Sequence, residues 1–314
     1  KTLRGIAMES NSVRIGRYEV AKRGVLMGRA MQTYHDLCDG PDFFESAMKE
    51  LKMNEVTYNA NSNAMIEADG SMQVSREHKV MFIHIPQTGG SIIEKSKLFA
   101  HPKKLPIGGH HNIADFHKRE GINSDDFTSF AIAGHPCERF MKTFDYLKKG
   151  GNGNPKEVAW ANKLLGDMTV DEFVKKGIPS EYGHFKAMWS FIFLTDETTR
   201  ETAMKVDNVF CQQHFEDVEE WVQKQYGSVV PREKDDLPTQ KQCENLKPET
   251  RQAIDDFYAM DYCIFGFDRM DTNKCEARNI SKNEYASRVQ SCFASLSLET
   301  KRRLRKEYPD HIYV

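Results

Sequence analysis

The run Val80–Ile85 (VMFIHI), closed by Pro86 and followed by Thr88-Gly89-Gly90-Ser91, constrains this chain more than any other stretch. A short, nearly continuous apolar run without polar alternation predicts a strand covered on both faces, as in a parallel sheet. The glycines after it predict a tight turn into a helix over Ser91–Phe99. A second apolar run, Phe130–Ala133, leads through Gly134-His135-Pro136 into a helix that ends near Lys149, before Gly150-Gly151. Phe140, Phe144 and Leu147 recur at helical spacing and are expected to face the sheet. Further helices are predicted over Pro155–Leu165, Val170–Lys176 (with a Thr169/Glu172 capping box) and His184–Leu194. A third strand, Val206–Cys211, precedes an amphipathic helix over Phe215–Tyr226 and a charged loop over Gly227–Gln242. A helix over Pro248–Met260 and two more after Ser281 complete the order. Alternating strands and helices predict an α/β fold with three layers, a parallel sheet flanked by helices.

The polar stretch before this region holds one candidate helix, Val25–Leu37, and an Asn-rich, loop-like segment, Asn54–Gly70. The expected division is an N-terminal extension of unread role over residues 1–78, a ligand-binding domain over 79–270 and a helical extension over 271–314. The 314 residues carry 44 basic and 46 acidic side chains, a formal charge of −2, which argues against a broad nucleic-acid footprint. No run approaches the roughly 18 apolar residues of a membrane span. The first residue is Lys1, with neither an initiator Met nor an apolar signal core after it, so a leader or anchor removed beforehand is an expectation.

Seven cysteines contain no CxxC pair, so no metal site is expected. Cys263 and Cys275 are a candidate bridge, and scattered reduced thiols fit the spacing equally, which leaves the compartment open. One glycosylation sequon, Asn279-Ile280-Ser281, matters only in a secretory compartment.

Two segments carry chemistry. In His84-Ile85-Pro86-Gln87-Thr88-Gly89-Gly90-Ser91, a strand ends in a Gly-rich turn whose backbone N–H groups suit a phosphate or sulfate, with the Thr88 and Ser91 hydroxyls as further donors. The nucleotide-binding pattern GxxxxGK[ST] is absent, and no acidic metal partner is evident, so an NTPase or kinase is poorly supported. Taken alone, the turn is a tight strand–helix connection more often than a ligand site. In the helix after Pro136, Arg139 and Lys142 stand three apart, on a common face where two cations meet a second phosphate. Alone, such a pair is more often a solvated basic stripe.

Together these segments resemble the sulfotransferases, in the branch of carbohydrate sulfotransferases such as heparan sulfate 2-O-sulfotransferase. That family reads FIHIPKTGGTS at its 5′-phosphosulfate loop and RxPxxRxxSxxxY at its 3′-phosphate site. Between the two, Gly109-His110-His111-Asn112 is similar to the family's GH segment, and Glu249-Thr250-Arg251 with Phe257–Phe265 is similar to its late helix and DY segment. The resemblance covers residues 79–268, in the family's order. It implies a nucleotide-kinase-like fold and transfer of a sulfuryl group from the donor PAPS, leaving PAP, to a hydroxyl acceptor of the carbohydrate type. It implies a nucleotide site made of Gln87, Thr88, Gly89, Gly90, Ser91, Arg139 and Lys142. It also implies His110 as general base, with His111 the adjacent competitor; His84, within the strand, reads as a packed residue or as one supporting the site from behind. Basic residues around that histidine, Lys103, Lys104, Lys118 and Arg119, fit an anionic glycan but read more readily as solvated loop. The Golgi lumen is the compartment the resemblance implies, with the cytoplasm as alternative.

The chain departs from the family at three positions. Gln87 stands for the loop lysine that meets the leaving 5′-phosphate, Gly134 for the first arginine of the 3′-phosphate motif, and Lys142 for its serine. Gln87 has no charge to offer a developing anion. The rival expectation is therefore a descendant that kept the fold as a binding or structural subunit.

Overall fold

The computed structural model describes residues 73–99, 110, 113, 124–151, 153, 155–180, 182–195, 202–231, 242–277 and 280–308, all within a compact unit spanning 68–314. The Val25–Leu37 helix, the Asn54–Gly70 loop, Cys38, Gly109, His111, Asn279, the basic residues 103–119 and most of the loop after Pro231 lie outside them.

Four strands form a small mixed sheet: β1 (Val74–Ser75), β2 (Val80–Ile83), β3 (Thr128–Ala133) and, later in the chain, β6 (Asn208–Cys211), in spatial order β1-β2-β3-β6. β2, β3 and β6 run parallel, with Phe82 opposite Phe130 and Phe130 opposite Asn208, while β1 adds an antiparallel edge. The apolar runs are explained by burial on both faces. Met81, Ile83, Ala131, Ala133, Val209 and Cys211 point into one core; Val80, Phe82, Phe130, Ile132 and Phe210 point into the other.

Two helices cover the second face. α1 (Gly90–Glu94) contributes Ile92 and Ile93, and α6 (Phe215–Tyr226) contributes Phe215, Val218 and Val222. The first face carries α2 (Pro136–Lys148), α3 (Pro155–Leu165), α4 (Val170–Lys176), α5 (Trp189–Ile192), α7 (Pro248–Phe257), α8 (Ala259–Phe265), α9 (Lys282–Ser295) and α10 (Leu298–Glu307). Phe140, Phe144 and Leu147 face this core as their spacing predicted, and Thr169 and Glu172 close their capping box on α4. Tyr285, Val289, Phe293 and Leu304 of the last two helices share it, so the segment after 270 packs into the same body.

Three elements differ from expectation. The predicted helix over His184–Leu194 is only α5, followed by β4 (Phe193–Thr195), which pairs with β5 (Thr202–Met204) in a separate two-stranded ribbon. Its start is fixed from far along the chain, because the Asp261 carboxylate accepts the Met188 and Trp189 N–H groups, both at 2.9 Å. The helix after Gly89 stops at Glu94, where tight turns carry Leu98 and Phe99 down into the second core. The helix begun at Pro248 breaks at Tyr258, whose hydroxyl donates to the Phe185 carbonyl inside the core.

The cysteines pair differently from the candidate bridge. Cys263 bonds to Cys292, because α8 packs on α9, and Cys275 bonds to Cys211; Cys137–Cys243 is the third disulfide. Cα separations of 5.7–6.2 Å suit all three. Among the described residues no helix is long and apolar enough to cross a membrane.

Candidate functional site

The site begins where β2 runs out. Thr88, fully buried, donates its hydroxyl to the Ile85 carbonyl at 2.8 Å and closes the turn, so that hydroxyl serves the loop and does not reach outward. Gln87 (φ 64°) and Gly89 (φ 87°) both lie in the left-handed region. For Gln87 this is an uncommon conformation, of the kind that local structure must hold in place. Such alternation turns successive N–H groups toward one side, the geometry of an anion cradle. Gly90 has no room for a side chain: a Cβ there would lie 2.2 Å from Cδ2 and 2.4 Å from Nε2 of His84.

That ring is firmly anchored. His84 Nδ1 lies 2.8 Å from Glu94 Oε1, and the Gln73 side-chain amide donates to the same oxygen at 2.9 Å. Both side chains of the pair are 8% exposed, and Phe82 stacks on the imidazole at 5.5 Å. His84 packs, as its place in the strand suggested, and is anchored besides. His110 stands edge-on to it with ring centres 4.6 Å apart, its Nδ1 3.3 Å from the His84 carbonyl oxygen. His184 meets His110 edge-on from the other side, also at 4.6 Å, and is itself layered between Tyr146 and Tyr182 at 5.1 and 5.0 Å. These groups enclose a pocket of about 310 Å³, with Gln87, Gly89, Gly90, Ser91 and Lys95 on one wall and His110, Tyr146 and His184 on the other.

The second expected segment divides. Arg139 is fully buried and turned away from the pocket. Its two terminal nitrogens donate to the carbonyls of His184 (2.9 Å) and Lys186 (2.5 Å), and its guanidinium lies 5.1 Å from the Tyr258 ring centre. It therefore holds the backbone that presents His184. Three residues along a helix fall about 60° short of a full turn, so Arg139 reaches one neighbour while Lys142 reaches another. Lys142 donates to Gln212 Oε1 at 3.2 Å, and burial brings its pKa down from 10.5 to about 8. The same Gln212 oxygen lies 2.6 Å from where a Cβ on Gly134 would be. Lys142 is thus aimed at the space beside Gly134, with Gln212 already in it. Gln212 Nε2 is buried and has no hydrogen-bond partner among the described residues.

The structure thus brings Gln87, Gly89, Gly90, Ser91 and His110 to one pocket, keeps Thr88 as its internal brace, and leaves Arg139 and Lys142 off its lining. Lys95, Tyr146, His184, Glu94 and Gln212 were not anticipated. Lys95 lies four residues after Ser91, a spacing that signals a shared face; the others arrive through long-range packing that carries no sequence period. Among the described residues no group of three or more His, Cys, Asp or Glu side chains is arranged to hold a metal ion. No family model, curated protein or solved structure matches the chain.

Proposed function

We propose that this pocket receives the 5′-phosphosulfate end of PAPS and that the chain transfers the sulfuryl group to a hydroxyl acceptor of the carbohydrate type. In this reading the scaffold is the nucleotide-kinase-like fold of the sulfotransferases. One observation carries it: the Gly-rich loop Gln87–Ser91 and His110, the two elements on which such a reaction depends, line the same pocket. The loop sits at the carboxyl end of β2, where open parallel sheets bind nucleotides.

The chemistry follows from the placement. The acceptor oxygen bonds to sulfur as the bond from sulfur to the 5′-phosphate breaks; the acceptor's proton passes to His110, and PAP leaves with the electron pair. Ser91 and Lys95 on the loop wall supply a donor and a cation to the phosphosulfate. Disulfides joining α2, β6 and α8 to later segments favour an oxidising compartment, the Golgi lumen in this reading.

A second reading, a binding protein that kept the fold and lost the transfer, is favoured by the neutral Gln87 and by Gln212 filling the space beside Gly134. Isothermal titration with PAP followed by transfer of labelled sulfate from PAPS separates the two. Binding with transfer, abolished in His110→Ala while PAP affinity stays within about twofold, supports the enzyme. Binding without transfer supports the second reading, and no binding of either nucleotide rejects the enzyme and leaves a structural subunit. Gln87→Lys adds a charge where the leaving oxygen develops its own, so turnover should rise with little change in affinity. A rise in affinity with no rise in turnover contradicts that placement.

A further inference from the structure

The wall that receives the anion is built over an imidazole. His84 touches the Gly90 backbone so closely that a single methyl group could not stand between them. Its other nitrogen is fixed to Glu94, which Gln73 anchors in turn. An ionised carboxylate only accepts hydrogen bonds, so the neutral ring keeps its proton on Nδ1, and the proton gained on acidification goes to Nε2, on the loop side. When His84 is neutral, the pair carries the full negative charge of Glu94 beneath an anion site. When His84 is protonated, the pair is neutral and presents an N–H.

We propose that His84, held by Glu94, is the switchable charge of this pocket, so that binding of a nucleotide 5′-phosphosulfate takes up a proton on His84 and tightens as pH falls. The inference rests on the nucleotide reading above and adds its regulation by pH. The titratable groups facing the ring are Glu94 and Lys95 from α1, His110 edge-on to it, and Tyr146 and His184 across the pocket. A bound anion shifts the balance toward the protonated form. Phe82 stacked on the ring and 8% exposure keep it in place through the change. His84 acts in binding; removal of the acceptor's proton stays with His110.

The probe is adenosine 5′-phosphosulfate, which holds no phosphate that titrates near neutrality, measured by calorimetry on the full chain. Affinity should fall at least about tenfold between about pH 5.5 and about pH 8.5, and buffers of different ionisation enthalpy should reveal uptake of up to one proton. His84→Gln should bind weakly and equally at both ends of the range. Glu94→Gln, which removes the carboxylate that holds the ring, should displace the profile to lower pH, and reports independently if the first variant does not fold. A flat wild-type profile, or a slope that survives in His84→Gln and is lost in His110→Gln or His184→Gln, overturns the role of His84 and leaves the nucleotide reading standing. Absence of binding of both this probe and PAP at every pH overturns that reading, and this inference with it.

Discussion

Where an arginine was expected the chain has Gly134, and the volume an arginine would need is filled from another element by Gln212, its Oε1 2.6 Å from the absent Cβ. Restoring the arginine alone should therefore fail. Gly134→Arg forces Gln212 aside and should cost about 1–3 kcal/mol by overpacking; Gly134→Arg with Gln212→Ala should recover most of that loss. In the proposed function, the double variant should also bind PAP about tenfold more tightly than Gln212→Ala alone. Thermal denaturation and calorimetry read the two effects, and a Gly134→Arg chain as stable as wild type would show that Gln212 does not own the space. Lys142 presents the complementary case. Its pKa falls from 10.5 to about 8 through burial, so the folded chain is penalised for carrying that charge. The penalty is complete below about pH 8, shrinks as pH rises, and disappears above the unfolded value. Lys142→Met should raise stability at neutral pH by about 1–2 kcal/mol, with a gain that fades in alkali. In the proposed function the same variant should also bind PAP less well, because it removes a cation beside the Gly134 space. A Lys142→Met chain that loses stability at pH 7 would contradict the assignment.

Helices α8 and α9 meet through Cys263–Cys292, a bridge closing a separation of 29 residues. Replacing both cysteines by alanine should cost about 2–4 kcal/mol of unfolding free energy, read by denaturant titration under oxidising conditions. A loss below about 1 kcal/mol would mean that the α8–α9 contact holds without it. The pairing illustrates what a sequence withholds. Strands β2, β3 and β6 are legible because burial on both faces leaves a continuous apolar run, and α2 because Pro136, Gly150 and the Phe140–Phe144–Leu147 stripe mark its ends and face. The start of α5 is not legible, because what fixes it is the carboxylate of Asp261, more than seventy residues away. The site divides in the same way. Gln87, Gly89, Gly90, Ser91 and His110 follow from short motifs, and the structure gathers them. Arg139 looked equally local, yet its direction was set by the carbonyls of the 184–186 segment. Glu94, ten residues beyond His84, carried no signal, because a short helix returning across its own strand has no period to betray it.

Two buried groups give the whole molecule opposing responses to acid. His135, between Tyr262 and Phe267, has its pKa lowered from 6.5 to about 4, chiefly by burial. Between those values the unfolded chain takes a proton that the folded chain refuses, so stability falls as pH drops through this window. Asp261 is raised from 3.8 to about 6, again chiefly by burial, and there the folded chain keeps a proton that the unfolded chain has released. Its contribution to stability grows as pH falls through that range. Each full proton difference amounts to about 1.4 kcal/mol per pH unit. His135→Asn should make the acid-side loss of stability shallower, and Asp261→Asn should make it steeper, whatever each costs at neutral pH. Denaturant titrations between about pH 4 and about pH 6.5 give the slopes, and the reverse order would refute both assignments. The three bridges have a consequence for how the chain is made. In order of synthesis the six paired cysteines are 137, 211, 243, 263, 275 and 292, and no bridge joins two neighbours in that order. The bridges interlock: 137–243 encloses 211, 211–275 encloses 243 and 263, and 263–292 encloses 275. A nascent chain that oxidised each cysteine with the one before it would make three wrong bonds, and would reach this pairing only through thiol–disulfide exchange that unmakes them.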